Sequence, residues 1–543
     1  MPTVLLNKKV FEKLVGKKLP LDKLKDRISM LGTDLEHIEG DEIKVEVFPN
    51  RPDMLSEQGF ARAFSSFIGV KTGFRKYTVK KSGHKVIVKS VTMRPYSACA
   101  IVKNLKFTDE RIREVMQMQE KLATTHGRER KKSCYGIYPL DIIKFPVMYI
   151  AKDPKTVKFQ PLGFEHKINA STVETEHPTG PKYKDVAKGW KKYPFYIDND
   201  NNILSMLPYT NSHDTGKVEL DTKEVFIECT GTDMKNVEIA LNIFCTMFAD
   251  MGGVIYSLDM VYPDKKITTP NLDPEKMNID LNYINKHLGL ELKEKEMKQY
   301  LERMGYGYEN GKVLVPKYRA DILHMSDFAE DIAIAYGYEN FKAIIPNVAT
   351  VGEEAPFEIF KKRVAEILVG LGMIEVQTYN LSNEKVQSEM MNRKVEPVLL
   401  ANSVSEEYTC ARAWMLPSVI EVLASNKHHE YPQNIFNIGV TFNKNSKFET
   451  GVEENTHLSI ALCDEKSNYT NIRQVLDYLL KSIDKECKIK EIEHDSCIPG
   501  RVAGVFYKGK SVGFLGEINP KVITNFKLDL PVCALELSLT ELF

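Results

Sequence analysis

A run of carboxylates between residues 321 and 331 is the densest group of candidate ligands in the sequence. Asp327, Glu330 and Asp331 have the i, i+3, i+4 spacing that places side chains on one face of a helix, with Ser326 as the predicted N-cap and Asp321 just upstream. Like charges this close repel one another, and a hard divalent cation, most simply Mg²⁺, compensates them through carboxylate oxygens. A solvated acidic first turn, stabilised by the helix dipole, has the same pattern. Spacing alone leaves both interpretations open.

A second group of polar side chains lies in residues 204–212 and 228–233. The first segment ends in Asn211 and Ser212, and the second begins Glu228-Cys229-Thr230. On adjoining strands, these hydroxyls, the amide and the carboxylate could orient a water molecule against an ester, with Glu228 as the acceptor. The hydroxyls would then read a small polar group on the substrate. The alternative is turn chemistry, because Asn, Ser, Thr, Gly and Asp all stabilise loops.

Motifs for several other chemistries are missing from the sequence. It contains no Gly-rich phosphate loop of the P-loop type, no G-x-S-x-G elbow and no H-E-x-x-H motif. Its nine cysteines form no C-x-x-C pair, so we expect buried, reduced thiols rather than a zinc ribbon or a redox site. Nucleotide chemistry by this chain alone is therefore unsupported.

Size and composition limit the classes of protein to consider. The chain has 543 residues, which at roughly 100–200 residues per domain predicts about three to five domains. Lys and Arg number 74, as do Asp and Glu, so the net charge is zero and any contact with nucleic acid must use local patches. Apolar residues make up 43% of the chain, which excludes a disordered protein. The sequence has no run of ~18–20 apolar residues, and its N-terminus lacks the order of regions typical of a signal peptide. We therefore expect a cytoplasmic protein that does not contact membranes.

Pro/Gly-rich joints and polar stretches divide the chain into four predicted domains of an α+β multidomain protein. These are an N-terminal α+β domain over residues 1–84, a β-rich domain over 85–266, a winged-helix-like module over 267–348 and an antiparallel sheet flanked by helices over 349–543.

Hydrophobic periodicity predicts the elements that position the polar groups. Glu228 follows the strand-like run Val225-Phe226-Ile227, and Asp327 lies in the first turn of a predicted helix. Helices are predicted around 11–15, 21–31, 281–288, 294–304 and 357–371 and strands over 44–48, 313–316 and 374–379.

Motifs spread over the whole chain share one resemblance. The third domain contains Val315-Pro316-x-Tyr318-Arg319-x-Asp321-Ile322 and then Glu330-Asp331-Ile332-Ala333-x-Ala335-Tyr336-Gly337-Tyr338. The first contains Asn50-Arg51-Pro52-Asp53, the second Thr230-Gly231-Thr232-Asp233, and the fourth Arg501 and Gly513-Phe514-Leu515-Gly516-Glu517-Ile518-Asn519-Pro520. In this order they resemble the β subunit of phenylalanyl-tRNA synthetase in its archaeal/eukaryotic form.

The resemblance implies an (αβ)₂ tetramer that joins L-phenylalanine to tRNA-Phe using ATP. The active site lies on the α subunit, and the last domain of the β subunit has the class II synthetase fold without its catalytic residues. Residues 357–379 resemble the first class II motif, whereas Phe436-Asn437-Ile438-Gly439 stands where an active enzyme has its ATP-contacting arginine motif. We therefore expect this catalytically inactive domain to pack against the catalytic domain of an α subunit.

The resemblance also implies roles for individual residues. In this family the β subunit supplies ligands for Mg²⁺, at positions matched here by Asp321, Asp327, Glu330 and Asp331. Its second domain hydrolyses tyrosine wrongly attached to tRNA-Phe. A pocket built for phenylalanine excludes tyrosine only imperfectly, whereas a second pocket with hydrogen-bond partners for the phenol hydroxyl selects tyrosine strongly. Carried over, this editing pocket comprises Leu204, Asn211, Ser212, Glu228 and Thr230.

The second domain departs from the family pattern at two places. Glu228 stands where an Asp is expected, and Leu207-Pro208-Tyr209-Thr210 replaces a Pro-Pro-Ile-Ile-like run. Whether the editing site is active is therefore a question for experiment.

Contact with tRNA-Phe is expected through short basic patches, for which the alternative is a solvated loop or strand face. The candidates are the five basic residues within 71–81, a group at Arg128, Arg130, Lys131 and Lys132, and a group at Lys188, Lys191 and Lys192 around Trp190.

Two other functions remain open at this point. The editing-like segment alone would suit a free-standing hydrolase that clears misacylated tRNA. The winged-helix-like module with basic patches would suit a nonenzymatic RNA-binding scaffold.

Overall fold

A computed structural model describes residues 2–348 and 351–543, and the chain divides into two compact units between Ile345 and Pro346. Helices and sheets occur in both units, which confirms an α+β multidomain protein. The three predicted boundaries between domains remain predictions; the first unit covers the first three predicted domains except for residues 346–348.

The N-terminal part of the first unit is a three-stranded antiparallel sheet, in the order β1-β3-β2, with helices on it. Its elements are β1 (Thr3–Asn7), α1 (Lys8–Val15), α2 (Leu21–Met30), β2 (Asp34–Glu39), β3 (Glu42–Glu46) and α3 (Glu57–Phe67). The Asn7 side chain accepts hydrogen bonds from the N–H groups of Lys9 and Val10, and Gly16, at φ 82°, ends α1. The predicted helices and strand of this part are confirmed.

The middle part is built on a ten-stranded sheet. Its elements are β4 (Val79–Val88), β5 (Tyr96–Lys103), α4 (Asp109–Thr124), β6 (Ser133–Pro139), β7 (Val147–Lys152), β8 (Lys158–Phe159), β9 (Ile168–Asn169), α5 (Val173–Glu176), α6 (Thr179–Tyr183), β10 (Tyr193–Ile197), β11 (Ile203–Met206), β12 (Thr210–Asn211), β13 (Val225–Gly231), α7 (Met234–Asp250), β14 (Val254–Val261) and β15 (Lys266–Thr269). The strand order is β12-β11-β10-β7-β4-β14-β5-β13-β6, with β15 paired to β14. Only β4 pairs in parallel, with β7 and β14.

The two faces of this sheet bury different clusters. Helix α7 packs on β5 and β13 through apolar residues such as Phe244 and Phe248. The opposite face is rich in aromatic side chains, among them Tyr138, Tyr196 and Phe226. Side chains of alternate β13 residues therefore point into two different environments.

Helix α4 was not predicted. Thr108 caps it by accepting a hydrogen bond from the Arg111 N–H, and Val115, Met118 and Leu122 are buried at helical spacing. The capping residue and the helical spacing can both be read from the sequence, but the strand-like runs on either side favour a β-rich interpretation of this segment.

The third part of the first unit is a three-stranded antiparallel sheet, in the order β16-β18-β17, with three helices. Its elements are β16 (Glu275–Asn278), α8 (Leu281–Leu288), α9 (Glu294–Arg303), β17 (Gly307–Glu309), β18 (Lys312–Val315) and α10 (Met325–Tyr336). The predicted helices and strand are confirmed; a winged-helix arrangement remains a prediction. One hydrophobic cluster runs from Val4 to Ala335 through all three parts of the unit.

The second unit is a seven-stranded sheet with helices on it, in the order β19-β23-β24-β28-β27-β26-β25. Its elements are α11 (Pro356–Gly370), β19 (Ile374–Glu375), β20 (Leu381–Ser382), β21 (Val398–Leu399), β22 (Cys410–Ala411), α12 (Leu416–Ser425), β23 (Gln433–Lys444), β24 (Val452–Cys463), α13 (Tyr469–Ser482), β25 (Lys488–Glu491), β26 (Cys497–Tyr507), β27 (Lys510–Ile518), α14 (Pro520–Asn525), β28 (Val532–Ser538) and α15 (Leu539–Leu542). The sheet is antiparallel except at β19, which pairs in parallel with β23. The strand predicted over 374–379 is only two residues long.

All nine cysteines are free thiols, eight of them buried, as expected. Across residues 2–348 and 351–543, no helix has the length and apolar character needed to cross a membrane.

Candidate functional site

Glu228 lies on β13 in the interior of the ten-stranded sheet, between Cys99 of β5 and Gly136 of β6. The side chain is fully buried. Its Oε1 accepts a hydrogen bond from the Tyr138 hydroxyl at 2.9 Å, and the Ser205 hydroxyl lies 3.4 Å away. Oε2 has no hydrogen-bond partner among the described residues.

Burial raises the pKa of the Glu228 carboxyl to about 8, against the opposing effects of Tyr138, Arg94 and Ser205. The group is therefore mainly protonated at neutral pH. A neutral carboxyl is a weak general base, but it holds neighbouring hydroxyls by hydrogen bonds.

Gly136 permits the contact between Glu228 and Tyr138. A Cβ at this position would overlap the Tyr138 hydroxyl and lie 2.6 Å from Glu228 Oε1. Only glycine leaves room for the two polar groups over β6.

A cavity of about 680 Å³ borders this polar group. Its walls come from α4, from β6 and from residues 207–218, and they include Asn211. The Tyr138 hydroxyl lies 3.2 Å from Asn211 Oδ1, so it can donate to either Asn211 or Glu228. Tyr138 thereby connects the buried carboxyl to an amide on the cavity wall.

The five residues carried over for the editing pocket do not line one cavity. Asn211 borders it, whereas Glu228 reaches it only through Tyr138. Leu204 and Ser212 are buried and joined by a backbone hydrogen bond of 2.7 Å from the Ser212 N–H to the Leu204 carbonyl. Thr230 is buried on β13, and its hydroxyl has no partner among the described residues.

Arg130 is a wall residue of this cavity rather than a free basic side chain of the predicted tRNA patch. Its Nη1 donates to the carbonyls of Pro208 and Tyr209 at 2.8 and 2.9 Å, and its guanidinium lies 4.2 Å from the centroid of the Tyr183 ring. Residues 128–130 all have left-handed φ values, of 47°, 55° and 61°. The left-handed turn directs the Arg130 side chain towards residues 208–209, which it holds by these hydrogen bonds.

Sequence reasoning missed two residues that organise the site. Arg94 is buried and donates to the carbonyls of Arg130 and Thr230, both at 2.9 Å, so it joins β13 to the left-handed turn. Tyr138 connects Glu228 with Asn211. Both contacts depend on strand pairing between distant segments, which no local motif indicates.

Replacing Glu228 with glutamine is expected to remove a pH-dependent loss of stability. The folded chain keeps the carboxyl protonated up to about pH 8, whereas the unfolded chain ionises it near 4.5. Stability should therefore fall as pH rises from 4.5 to 8 in the original chain, by a few kcal/mol at about 1.4 kcal/mol per pKa unit. Glu228→Gln should remove the share of this dependence that Glu228 contributes, as measured by thermal unfolding from pH 5 to 9; the share of Glu57, whose pKa burial raises to about 7, should remain.

Glu165→Gln, at an exposed position of the same domain, is the matched control and should keep the original pH dependence. An unchanged slope in Glu228→Gln would contradict the raised pKa.

The acidic cluster of the third part is organised around Arg319. This buried guanidinium donates from Nε and Nη2 to the two carboxylate oxygens of Asp321, and from Nη2 to Asp331 Oδ2, all at 2.8 Å. The Tyr306 hydroxyl also contacts Asp331 Oδ2. Asp321 and Asp331 are thus compensated by an arginine.

The other two carboxylates lie at the start of α10. Asp327 Oδ2 accepts hydrogen bonds from the N–H groups of Leu323 and His324, each at 2.7 Å. His324, not Ser326, is the N-cap, because its ring nitrogen accepts from the Ser326 N–H. Glu330 is exposed and borders a shallow cavity together with Asp327.

The four carboxylates therefore do not fit a single Mg²⁺ ion held by all of them. In the part of the chain that the structure describes, no group of three or more His, Cys, Asp or Glu side chains could hold a metal ion. Magnesium binding stays a prediction.

In the second unit, the polar residues near 436–439 are used within the fold. The Asn437 amide nitrogen donates to the Val376 carbonyl. Arg412 is buried and donates to the Val440 carbonyl, to Thr378 Oγ1 and to Asn380 Oδ1 at 2.7–2.8 Å.

Family models match both units. The model described as the phenylalanyl tRNA synthetase beta chain CLM domain matches residues 342–539, and that of the tRNA synthetase B5 domain matches residues 277–338.

Relatives match the chain from end to end. A phenylalanine–tRNA ligase beta subunit from Pyrococcus abyssi is 38% identical over 555 residues, with 100% of both chains covered. One from Archaeoglobus fulgidus is 37% identical, with 100% of this chain and 99% of the relative covered. The crystal structure of an N-terminal fragment of the Pyrococcus horikoshii phenylalanyl-tRNA synthetase β subunit, 37% identical, aligns with a TM-score of 0.60 over 62% of this chain and 100% of the fragment. The chain therefore belongs to the phenylalanyl-tRNA synthetase β-subunit family, of archaeal type.

Proposed function

We propose that the chain is the β subunit of an (αβ)₂ phenylalanyl-tRNA synthetase, in which an α subunit attaches L-phenylalanine to tRNA-Phe using ATP. The observation that carries this proposal is the similarity over the full length to archaeal proteins named as phenylalanine–tRNA ligase beta subunits. In this proposal the second unit acts as an interface domain and the first unit edits.

Co-purification with a candidate α chain tests the proposal. A stable complex should aminoacylate tRNA-Phe with phenylalanine, whereas the β chain alone should not. Aminoacylation by the β chain alone, or failure to form a complex, would contradict the proposal.

Exposed apolar side chains on the second unit support an interface with the α subunit. Ile359 and Val369 of α11 are 52% and 55% exposed, and Ile374 and Tyr379 just after the helix are also exposed. These residues, which we call the α11 surface, lie in the segment that resembles the first class II motif. Several exposed apolar side chains within one short segment are a feature expected of a surface that a partner covers.

For editing, we infer that the cavity beside Asn211 holds the tyrosyl end of mischarged tRNA-Phe. Its volume of about 680 Å³ is typical of small-molecule sites, which span roughly 300–1,000 Å³. Asn211 Oδ1 can accept from Tyr138, which leaves the amide N–H₂ group to donate to the substrate or to the attacking water. The protonated Glu228 positions Tyr138 and is not the general base.

Replacing Asn211 with alanine is expected to lower kcat/KM for deacylation of Tyr-tRNA-Phe by about a hundredfold to a thousandfold, the usual cost of losing one oriented donor. Tyr138→Phe should lower it less, because the amide remains. Deacylation of preformed Tyr-tRNA-Phe by the αβ complex is the measurement. Asn199→Ala, at an exposed turn, is the control, and full activity in Asn211→Ala would exclude this cavity.

Magnesium is proposed to bind at Asp327 and Glu330, the two carboxylates that Arg319 does not hold. Mg²⁺ usually keeps several waters and takes only one or two carboxylates, which fits this pair. Asp327→Asn and Glu330→Gln should each reduce the magnesium bound by the αβ complex several-fold, as measured by mass spectrometry of metal content after dialysis. Glu291→Gln, at an exposed position of the same part, should not. Full retention in both variants would refute the proposal.

A further inference from the structure

The second unit contains a cavity of about 450 Å³ on one face of its sheet. The cavity lies over β24, β27 and β28 and beside residues 393–396 and 413–414. Its charged and aromatic lining residues are Arg393, Glu396, Trp414, Lys444, His457, Phe514 and Glu536.

The sheet face under this cavity carries a polar row where a hydrophobic core would have apolar residues. Asn437, Ser459, Glu536 and Phe514 are cross-strand neighbours in register and share that face. The first three are buried. Asn437 Oδ1 and Ser459 Oγ have no hydrogen-bond partner within the described parts of the chain. Buried polar groups are normally satisfied, so this row indicates a face adapted to polar contacts.

The charge of Glu536 is already compensated. Its carboxylate accepts hydrogen bonds from the N–H groups of Met415, at 3.0 Å, and Leu416, at 2.8 Å, at the start of α12. His457 Nδ1 lies 3.0 Å from its Oε1. Glu536 therefore presents little repulsion to an anion in the cavity.

One wall of the cavity is aromatic. The Trp414 and Phe514 ring centroids lie 6.2 Å apart, and the His494 ring stacks on Phe514 at 4.1 Å. Burial, together with the charge of Arg393, lowers the pKa of His494 to about 3, so its ring is neutral and adds no charge to the wall. The Arg393 guanidinium lies 5.5 Å from the Trp414 ring centroid.

The rim of the cavity carries two cations, Arg393 and Lys444, and Arg393 Nη1 contacts His494 Nε2. Within residues 2–348 and 351–543, neither Arg393 nor Lys444 forms an ion pair with an Asp or Glu side chain. Asn443 borders the same rim and offers an amide. Two cations that pair with no carboxylate, beside two aromatic rings, suit a flat ligand that carries a doubly charged anion.

We propose that this cavity binds a purine nucleoside monophosphate, with the base against Trp414 and Phe514 and the phosphate at Arg393 and Lys444. A fused two-ring base covers a wall made of two aromatic side chains, and a phosphate dianion matches two cations. An aromatic amino acid has one small ring and one carboxylate, so it would contact only one of the two aromatic side chains and one of the two cations. The same chemistry is offered by a free nucleotide and by a nucleotide of single-stranded RNA.

The fluorescence of Trp414 reports directly on this site. The chain has two tryptophans, so Trp190→Phe leaves Trp414 as the sole indole. Titration of this full-length variant with AMP should give saturable quenching. Lys444→Ala in the same background should weaken AMP binding about tenfold or more, as expected for loss of a phosphate contact worth one decade in Kd. Lys466→Ala, an exposed lysine away from the cavity, should leave it unchanged.

The comparison ligands separate the outcomes. Inorganic phosphate and L-phenylalanine should bind more weakly than AMP. A short single-stranded RNA that competes with AMP would assign the site to RNA, and lack of competition would assign it to the free nucleotide; both agree with the proposal. No saturable quenching by AMP, tighter binding of L-phenylalanine, or equal AMP binding after Lys444→Ala would overturn it.

Discussion

Replacing Arg319 with methionine is expected to destabilise the first unit by about 3–5 kcal/mol, the usual cost of leaving buried charges unpaired. The Arg319 side chain is almost fully buried and holds both Asp321 and Asp331. Its guanidinium also packs 5.0 Å from the centroid of the Tyr306 ring. Without it, the two nearly buried carboxylates lose the cation that hydrogen-bonds to both.

Thermal unfolding of the full chain measures this effect, with two companion variants. Arg319→Lys keeps the charge but loses the bidentate geometry, so its loss should be intermediate. Adding Asp321→Asn and Asp331→Asn to Arg319→Met should recover part of the stability, because the unpaired charges are gone.

Arg473→Met is the matched control for Arg319. It breaks an exposed i, i+4 ion pair with Asp477, of a kind worth less than about 1 kcal/mol. If Arg319→Met costs no more than Arg473→Met, the acidic cluster does not depend on Arg319, and a metal ion again becomes the better compensating charge.

Introducing Ile359→Asp and Val369→Asp together is expected to abolish stable assembly with the α subunit. Both side chains belong to the α11 surface, and burying an unpaired carboxylate in an interface costs several kcal/mol per group. A Kd increase of more than about a thousandfold corresponds to roughly 4 kcal/mol. Size-exclusion chromatography of the co-expressed chains would then show separated subunits.

Tyr478→Asp provides the control for the α11 surface. Tyr478 of α13 is 54% exposed and outside that surface, so its replacement changes a similarly exposed side chain. The complex should survive it. Intact assembly with the double variant, or equal loss with Tyr478→Asp, would move the interface elsewhere.

The local elements follow from the sequence where periodicity and caps agree. Helices α8 and α9 have the predicted starts, because each is a short amphipathic segment whose apolar face packs on the shared core. Helix α4 has equally good signals and was missed between strand-like runs. The strand predicted over 374–379 is cut short because β19 joins only the edge of the sheet.

The candidate sites are harder to predict because they depend on register between distant strands. Sequence alone places Glu228 and Asn211 in one group, but the connection through Tyr138 needs β13 to pair with β6. The spacing of Asp321 and Asp331 suggests metal ligands, although Arg319, the residue that compensates them, lies in the same sequence motif. Only the fold shows that this arginine turns inward between them.

The strand order of the ten-stranded sheet has a consequence for synthesis on the ribosome. Strand β14 lies between β4 and β5 and so connects two halves of the sheet. In the sequence, however, β4 and β5 both precede β14 by more than a hundred residues. Until β14 emerges, each half-sheet has an open edge, and exposed edges are where nascent chains mispair. The first unit is therefore completed late in translation, and a fragment ending before Val254 should aggregate, whereas one that includes the whole first unit and ends at Ile345 should stay in solution.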